Sequence, residues 1–301
     1  MPKVIIKDAT LREGLDVPGV NFSSRQKLKI ARMLKTIGVR EIEVVAPGKV
    51  LKDLAFVKKL KGKRSYPKTS GLIYAYSPYY RPQIEKISGY LDRLDILMPA
   101  SFKREPCQKK DKIKQLCDAL IFASRFRIEV GAGFPHSFQT PFAFLLEISK
   151  EAVRKGAQRI TVYDTNGSAD PFTVHDMIRR LRKHLDCPLF FHGHNDLGLA
   201  TANSLAAVYA GADGLDATAN GLGDRAGNAS LEQMALLLHL RGFKTGIALK
   251  GLRPLSKVVE RASGISISRI APVVGEYIFS HKSAAHSINP ELFLAFDPRW
   301  I

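Results

Sequence analysis

The sequence predicts an α/β chain folded as a TIM (β/α)8 barrel with a short C-terminal appendage, and three observations lead there. Eight short β-rich runs alternate with helical stretches, Pro or Gly punctuates the helix ends, and the polar residues with chemical use fall just after strands. Strands are expected over 4–7 (VIIK), 41–45 (EIEVV), 71–74 (GLIY) and 94–97 (LDIL), then over 127–130 (RIEV), 159–163 (RITVY), 189–192 (LFFH) and 214–217 (GLDA). Between them, 24–36 reads as a helix ending at Gly38, 141–155 as a helix begun by Pro141 and ended at Gly156, and 171–185 as one begun by Pro171. Repeated βα units at this spacing require parallel strands joined by right-handed crossovers. A doubly wound open sheet is the rival, but the polar residues described below converge only if the sheet closes. The barrel is expected over 1–250. A helix over 254–262 and a tail over 274–298 form the appendage of 251–301.

Composition narrows the class. An apolar fraction of 45% and a charged fraction of 25% over 301 residues suit a folded globular chain rather than a disordered or collagen-like one. No apolar run reaches the roughly 18 residues of a membrane span, and the opening MPKVIIKDAT reads as a strand rather than a cleavable signal, so a cytoplasmic protein is expected. Cys107, Cys117 and Cys187 form no C-x-x-C pair and are expected as free thiols. The net charge of +18 suggests an anionic partner, but its densest runs, 58–64 (KKLKGKR) and 103–114 (KREPCQKKDKIK), lack interleaved aromatics. A solvated surface is the leading reading, ahead of a site for CoA phosphates; nucleic acid is not expected.

Catalytic groups of a barrel sit where strands pass into βα loops. After the first strand come Asp8, Arg12 and Glu13; near the end of the second is Glu43; after the sixth come Asp164 and Thr165; at the seventh are His192 and His194; after the eighth come Asn220 and Asn228. His192 and His194 stand two apart on one strand, so both imidazoles face one side. With Glu13 and the Asn228 amide oxygen at the same mouth they make a mixed N/O site for a divalent cation, Mg, Mn, Co or Zn. Arg12 would bring a fixed charge to an enolate or alkoxide, and Glu43 is placed to hold its guanidinium, although a surface ion pair is the plainer alternative. The loop 220–228 (NGLGDRAGN) fails the G-x-G-x-x-G spacing, so no dinucleotide is inferred, and its Asp224 and Arg225 suit an ion pair closing the loop.

Together 8–14 (DATLREG), 192–198 (HGHNDLG), 220–228 and 279–286 (FSHKSAAH) resemble the DRE-TIM metallolyase, or pyruvate-carboxyltransferase, family. That family includes isopropylmalate, homocitrate and citramalate synthases, with HMG-CoA lyase as a relative. The resemblance implies that Glu13, His192, His194 and Asn228 surround the metal, that Arg12 polarises a carbonyl braced by Glu43, and that Thr165 touches a 2-oxo acid carboxylate. It further implies a homodimer in which the tail reaches over the neighbouring active site and supplies His286. The reaction implied is a Claisen condensation of acetyl-CoA with a 2-oxo acid; an HMG-CoA lyase-like carbon-carbon cleavage is the alternative. Glu13 after Arg12, and Lys282 after His281, lean toward homocitrate synthases, whereas Leu15 and 130–135 (VGAGFP) are nearer the lyases, and Phe293 stands where the synthases carry a tail tyrosine. No counterpart of the regulatory domain of leucine-sensitive synthases follows, so control through it is not expected.

Overall fold

A computed structural model describes residues 2–101 and 108–301. In chain order the elements are β1 (Ile5–Asp8), α1 (Thr10–Glu13), α2 (Ser24–Thr36), β2 (Glu41–Val45), α3 (Val50–Leu60), β3 (Lys68–Tyr74), α4 (Tyr80–Ser88), β4 (Arg93–Leu97) and α5 (Lys109–Ala123). There follow β5 (Glu129–Phe134), α6 (Phe142–Arg154), β6 (Ile160–Asp164), α7 (Pro171–Arg182), β7 (Leu189–Gly193), α8 (Ala200–Tyr209), β8 (Gly214–Ala217), α9 (Leu231–Leu240), α10 (Leu252–Ser263) and α11 (Ala284–Ile288). The eight strands close into one parallel barrel, with Ile5 of β1 opposite Gly214 of β8, and no open doubly wound sheet is formed.

Local chemistry explains the helix ends. Ser23 caps α2 in a reciprocal box with Gln26, and Asp170 caps α7 ahead of Pro171, whose missing N–H costs nothing in the first turn. The helix after residue 250 starts at Leu252 and stops at Gly264, in the left-handed region at φ 74. Its Leu252, Leu255, Val258 and Val259 join the barrel's apolar core, so this helix packs as part of the outer shell. Cys117 and Cys187 are free thiols, while Cys107 and 103–107 of the second basic run lie outside the described residues. Among the described residues no helix is long and apolar enough to cross a membrane.

One strand lies elsewhere than expected. The fifth runs over Glu129–Phe134, not 127–130, because two glycines that read as loop occupy the strand itself. A Cβ on Gly131 would stand 2.0 Å from Asp95 Oδ1, and one on Gly133 would stand 2.5 Å from Leu97 Cδ2. The glycines leave room for side chains crossing the barrel interior. Gly131→Ala is therefore expected to destabilise the protein by about 1–3 kcal/mol, seen as a lower urea midpoint at constant slope. Gly89→Ala, at an open position with φ −64, is the control and should be near neutral.

The barrel interior carries charge where branched aliphatics are common. On β2, Ile42 and Val44 join the apolar layer under the helices, while Glu41 and Glu43 point inward. Arg159 donates to Glu41 at 2.8 and 2.6 Å, and Lys7 sits between Glu43 and Asp216 at 2.5 and 3.1 Å, all of them buried. A buried ion network adds little net stability over apolar packing. Its effect is to hold groups in place beneath the mouth of the barrel.

Candidate metal centre

The site begins where β1 ends. Asp8 accepts from the backbone N–H and the hydroxyl of Thr10, at 3.0 and 2.8 Å, and the Thr10 hydroxyl accepts from the Ala219 N–H at 2.8 Å. These bonds tie the first βα loop to the eighth and fix the one-turn helix α1. Burial pushes the Asp8 carboxyl up to about 7, against the pull of those same bonds. The carboxyl organises the loop from behind, while Arg12 and Glu13 face the mouth.

Glu13, His192 and His194 converge there, each buried, with one ligand-type atom from each lying within 4.8 Å of the others. Glu13 Oε1 stands 3.2 Å from His192 Nε2, and the two imidazole rings are 5.1 Å apart. Three atoms at this cluster are buried without a hydrogen-bond partner: Glu13 Oε2, His194 Nδ1 and Asn228 Oδ1. Buried polar atoms are rarely left so, and here the orphans belong to the residue types that bind a divalent cation. The Asn228 amide nitrogen is 3.2 Å from His192 Nε2. Rotation of that amide by a half-turn exchanges two atoms of similar size and turns the oxygen to the cluster. Gly223 makes room for the amide, since a Cβ there would lie 1.8 Å from Asn228 Oδ1.

Electrostatics favours ligation. Burial alone would raise the Glu13 carboxyl, but the adjacent Arg12 guanidinium and the hydrogen bond from His192 outweigh it and hold it well below the usual range. Burial, with His192 beside it, pushes His194 down to about 3, so that imidazole is neutral. His192 is different: burial lowers it, yet hydrogen bonds to Asp216 and Glu13 carry it up to about 9. A cation would compete with the proton on that ring.

Two positioning residues were not foreseen from sequence. Asp216 Oδ2 lies 2.9 Å from His192 Nδ1, and Lys7 holds the same oxygen at 3.1 Å. This arrangement sets the ring so that Nε2 faces Glu13. The available signal was a charged residue inside a short, otherwise apolar strand, as in 4–7 and 214–217. Asp216→Asn is expected to weaken divalent-metal affinity by about 10- to 100-fold in a chelator-competition titration; a change below twofold would show that the carboxylate has no such role.

Arg12 is gripped on both sides. Its Nε and Nη2 lie 2.6 Å from Glu43 Oε1, and its Nη1 pairs with Glu13. Burial opposes ionisation of Glu43, but Arg12 and Lys7 outweigh it and keep the carboxyl low. The pocket in front of Arg12 and the metal cluster has a volume of about 280 Å³; Leu72, Tyr74, Leu97 and Tyr163 form its apolar wall. Thr165 lines it too, its hydroxyl accepting from the His136 N–H at 2.8 Å. Arg225, left-handed at φ 56, bonds Asp196, Asp224 and the Thr165 carbonyl, locking the loops after β6, β7 and β8 together.

Other expected residues lie apart from the pocket. Asp164 turns back to accept from the Ser168 and Ala169 N–H groups, and the Asn220 amide bonds Ser256 of α10. His286 stacks on Phe293 at 3.9 Å and meets His281 edge-on at 5.5 Å, within the tail of its own chain. It does not line the pocket of that chain.

Comparison with known proteins agrees with this architecture. The family model described as HMGL-like matches residues 3–259. The probable 2-isopropylmalate synthase of Archaeoglobus fulgidus is 33% identical over 306 residues, covering 99% of this chain and 60% of the relative. Homocitrate synthase 1 of a Nostoc species is 33% identical over 311 residues, covering 99% of this chain and 81% of the relative. The HMG-CoA lyase of Bacillus subtilis superposes with a TM-score of 0.77 at 21% identity, covering 89% of this chain and 97% of that one, a likeness of fold. With β1 through β8 and every residue of the metal cluster inside the matched stretch, the chain belongs to the HMGL-like family.

Proposed function

We propose that this chain joins an acyl-CoA, acetyl-CoA in the first instance, to a 2-oxo acid in a metal-dependent Claisen-type condensation. The observation that carries the reading is a single pocket in which three ligand-type side chains, with buried atoms lacking partners, stand beside a guanidinium held by two carboxylates. Relatives named 2-isopropylmalate and homocitrate synthase, a third identical over nearly the whole chain, support it. Glu13, His192, His194 and Asn228 would hold a divalent cation, Mg, Mn, Co or Zn, which when bound acts as a Lewis acid toward the acceptor ketone. Thr165 lines the pocket, and its hydroxyl would donate to the acceptor's carboxylate. A base removes a proton from the acyl methyl group, and the resulting carbanion attacks the ketone carbon. Arg12 then faces the negative charge that develops on the former ketone oxygen, and hydrolysis of the thioester releases free thiol. His286 would move the proton from the tail of a neighbouring copy in a homodimer.

A carbon-carbon lyase is the second reading, favoured by Leu15 after Gly14 and by the 130–135 (VGAGFP) sequence of the fifth strand. Release of thiol from acetyl-CoA across a panel of 2-oxo acids, abolished by chelation and restored by Mg or Mn, tests the first. Silence with every acceptor, together with a ketone product from a 3-hydroxyacyl-CoA, would replace it by the second.

A further inference from the structure

The excess positive charge is not spread evenly. Because all eight strands run parallel in a closed barrel, the αβ turns share one face and the βα loops, with the metal centre, the other. The chain around the α2–β2 turn exposes Lys35 and Arg40; that around the α3–β3 turn exposes Lys58, Lys59, Lys61, Lys63 and Arg64; the α5–β5 turn exposes Arg125 and Arg127. Among the described residues, the carboxylates between helix end and strand start are Asp92 and Asp186, both exposed, and Asp213, half-buried and paired with Arg182. The helix dipole accounts for a cation in a last helical turn, but not for Lys61, Lys63, Arg64, Arg125 and Arg127, which lie beyond the helix ends.

At one place this face is recessed. A pocket of about 560 Å³ is lined by Lys3, Arg40 and Lys244 together with His239 and Phe243, and no carboxylate lines it. Lys3 and Lys244 are paired through a parallel bridge, and all three cations are exposed. Aromatic rings flank them. Phe243 meets Tyr209 edge-on at 5.7 Å, and His239 meets Trp300 at 5.2 Å; Tyr209 is 55% exposed. The basic runs of the sequence carry no interleaved aromatics, whereas the fold sets cations and rings from five distant segments side by side.

We propose that the αβ face of this barrel binds single-stranded nucleic acid, with backbone phosphates on Lys3, Arg40 and Lys244 and an unstacked base against the Tyr209–Phe243 or His239–Trp300 rings. Phosphate contacts beside exposed aromatic faces are the combination by which proteins hold single strands without sequence preference. A flat anionic lipid surface reaches the outlying lysines but not the recess, and a duplex offers no unstacked base. The inference is independent of the chemistry at the opposite face.

The test is fluorescence anisotropy of a labelled oligothymidylate with the full chain over a salt series. Binding is expected to weaken with salt at a log-log slope of about −2 or steeper, as three or more released counterions require. Arg40→Glu with Lys244→Glu should weaken binding by about ten-fold or more, and Trp300→Ala with Tyr209→Ala by about five-fold or more, with metal binding unchanged. Four results would overturn the proposal: no binding at low salt, a charge-reversed variant that binds as tightly as the parent, duplex or phosphatidylglycerol vesicles bound in preference to the single strand, or adenosine monophosphate bound as tightly as the oligonucleotide.

Discussion

Glu13→Gln is expected to abolish divalent-cation binding in the proposed centre and to lower thiol release by about a thousand-fold or more, the equivalent of roughly 4 kcal/mol of lost transition-state stabilisation. The substitution keeps the shape of a side chain that is almost wholly buried, so the barrel should fold. It removes the one carboxylate of the cluster. The carboxylate is ionised in place because Arg12 and His192 outweigh the cost of its burial, and an amide offers neither the charge nor the second acceptor oxygen. Elemental analysis after dialysis is the first readout and turnover the second. Full metal occupancy in the variant would remove Glu13 from the ligand set and overturn the proposed centre.

Arg12→Lys should separate charge from geometry. The expected result is unchanged metal content with thiol release reduced by about 100- to 1000-fold, falling in kcat rather than in KM for the acceptor. Lysine keeps a positive charge but loses the planar fork that reaches Glu43 through two nitrogens and Glu13 through a third. A single ammonium can meet both carboxylates only by leaving the positions that the three guanidinium nitrogens occupy. The charge it presents to a developing oxyanion is therefore displaced and mobile. If the loss appeared mainly in KM, Arg12 would be binding the substrate's ground state, and its assigned part in the chemistry would fall.

Much of this architecture was legible before folding. Seven of the eight strands stand within a few residues of their expected places, since short apolar runs set between helical stretches declare themselves over four to seven residues. The fifth did not, because Gly131 and Gly133 look like loop until Asp95 and Leu97 arrive from the neighbouring strand. The paired histidines were legible from their spacing of two, and Glu13 and Asn228 from their places just after strands. Asp216 and Lys7 were not, because a lone charge in an apolar strand gives no hint of its partner. The tail histidine is a further case. Its resemblance to a catalytic residue comes from 279–286, but within one chain its ring lies on Phe293.

Taken alone, the sequence determined the alternation of strands and helices, the parallel pairing of strands that this alternation demands, and the polar residues set just after the strands. Those features follow from periodicity and turn chemistry, which act between neighbours along the chain. Only the tertiary structure decided that Asp216 and Lys7 orient His192, that Arg225 binds three loops into one rim, and that Arg40, Lys244 and the surrounding rings share a recess on the opposite face. The physical reason is that hydrogen bonds and charge contacts fall off within a few ångströms, so these pairings exist only once barrel closure has brought residues far apart in the chain within reach.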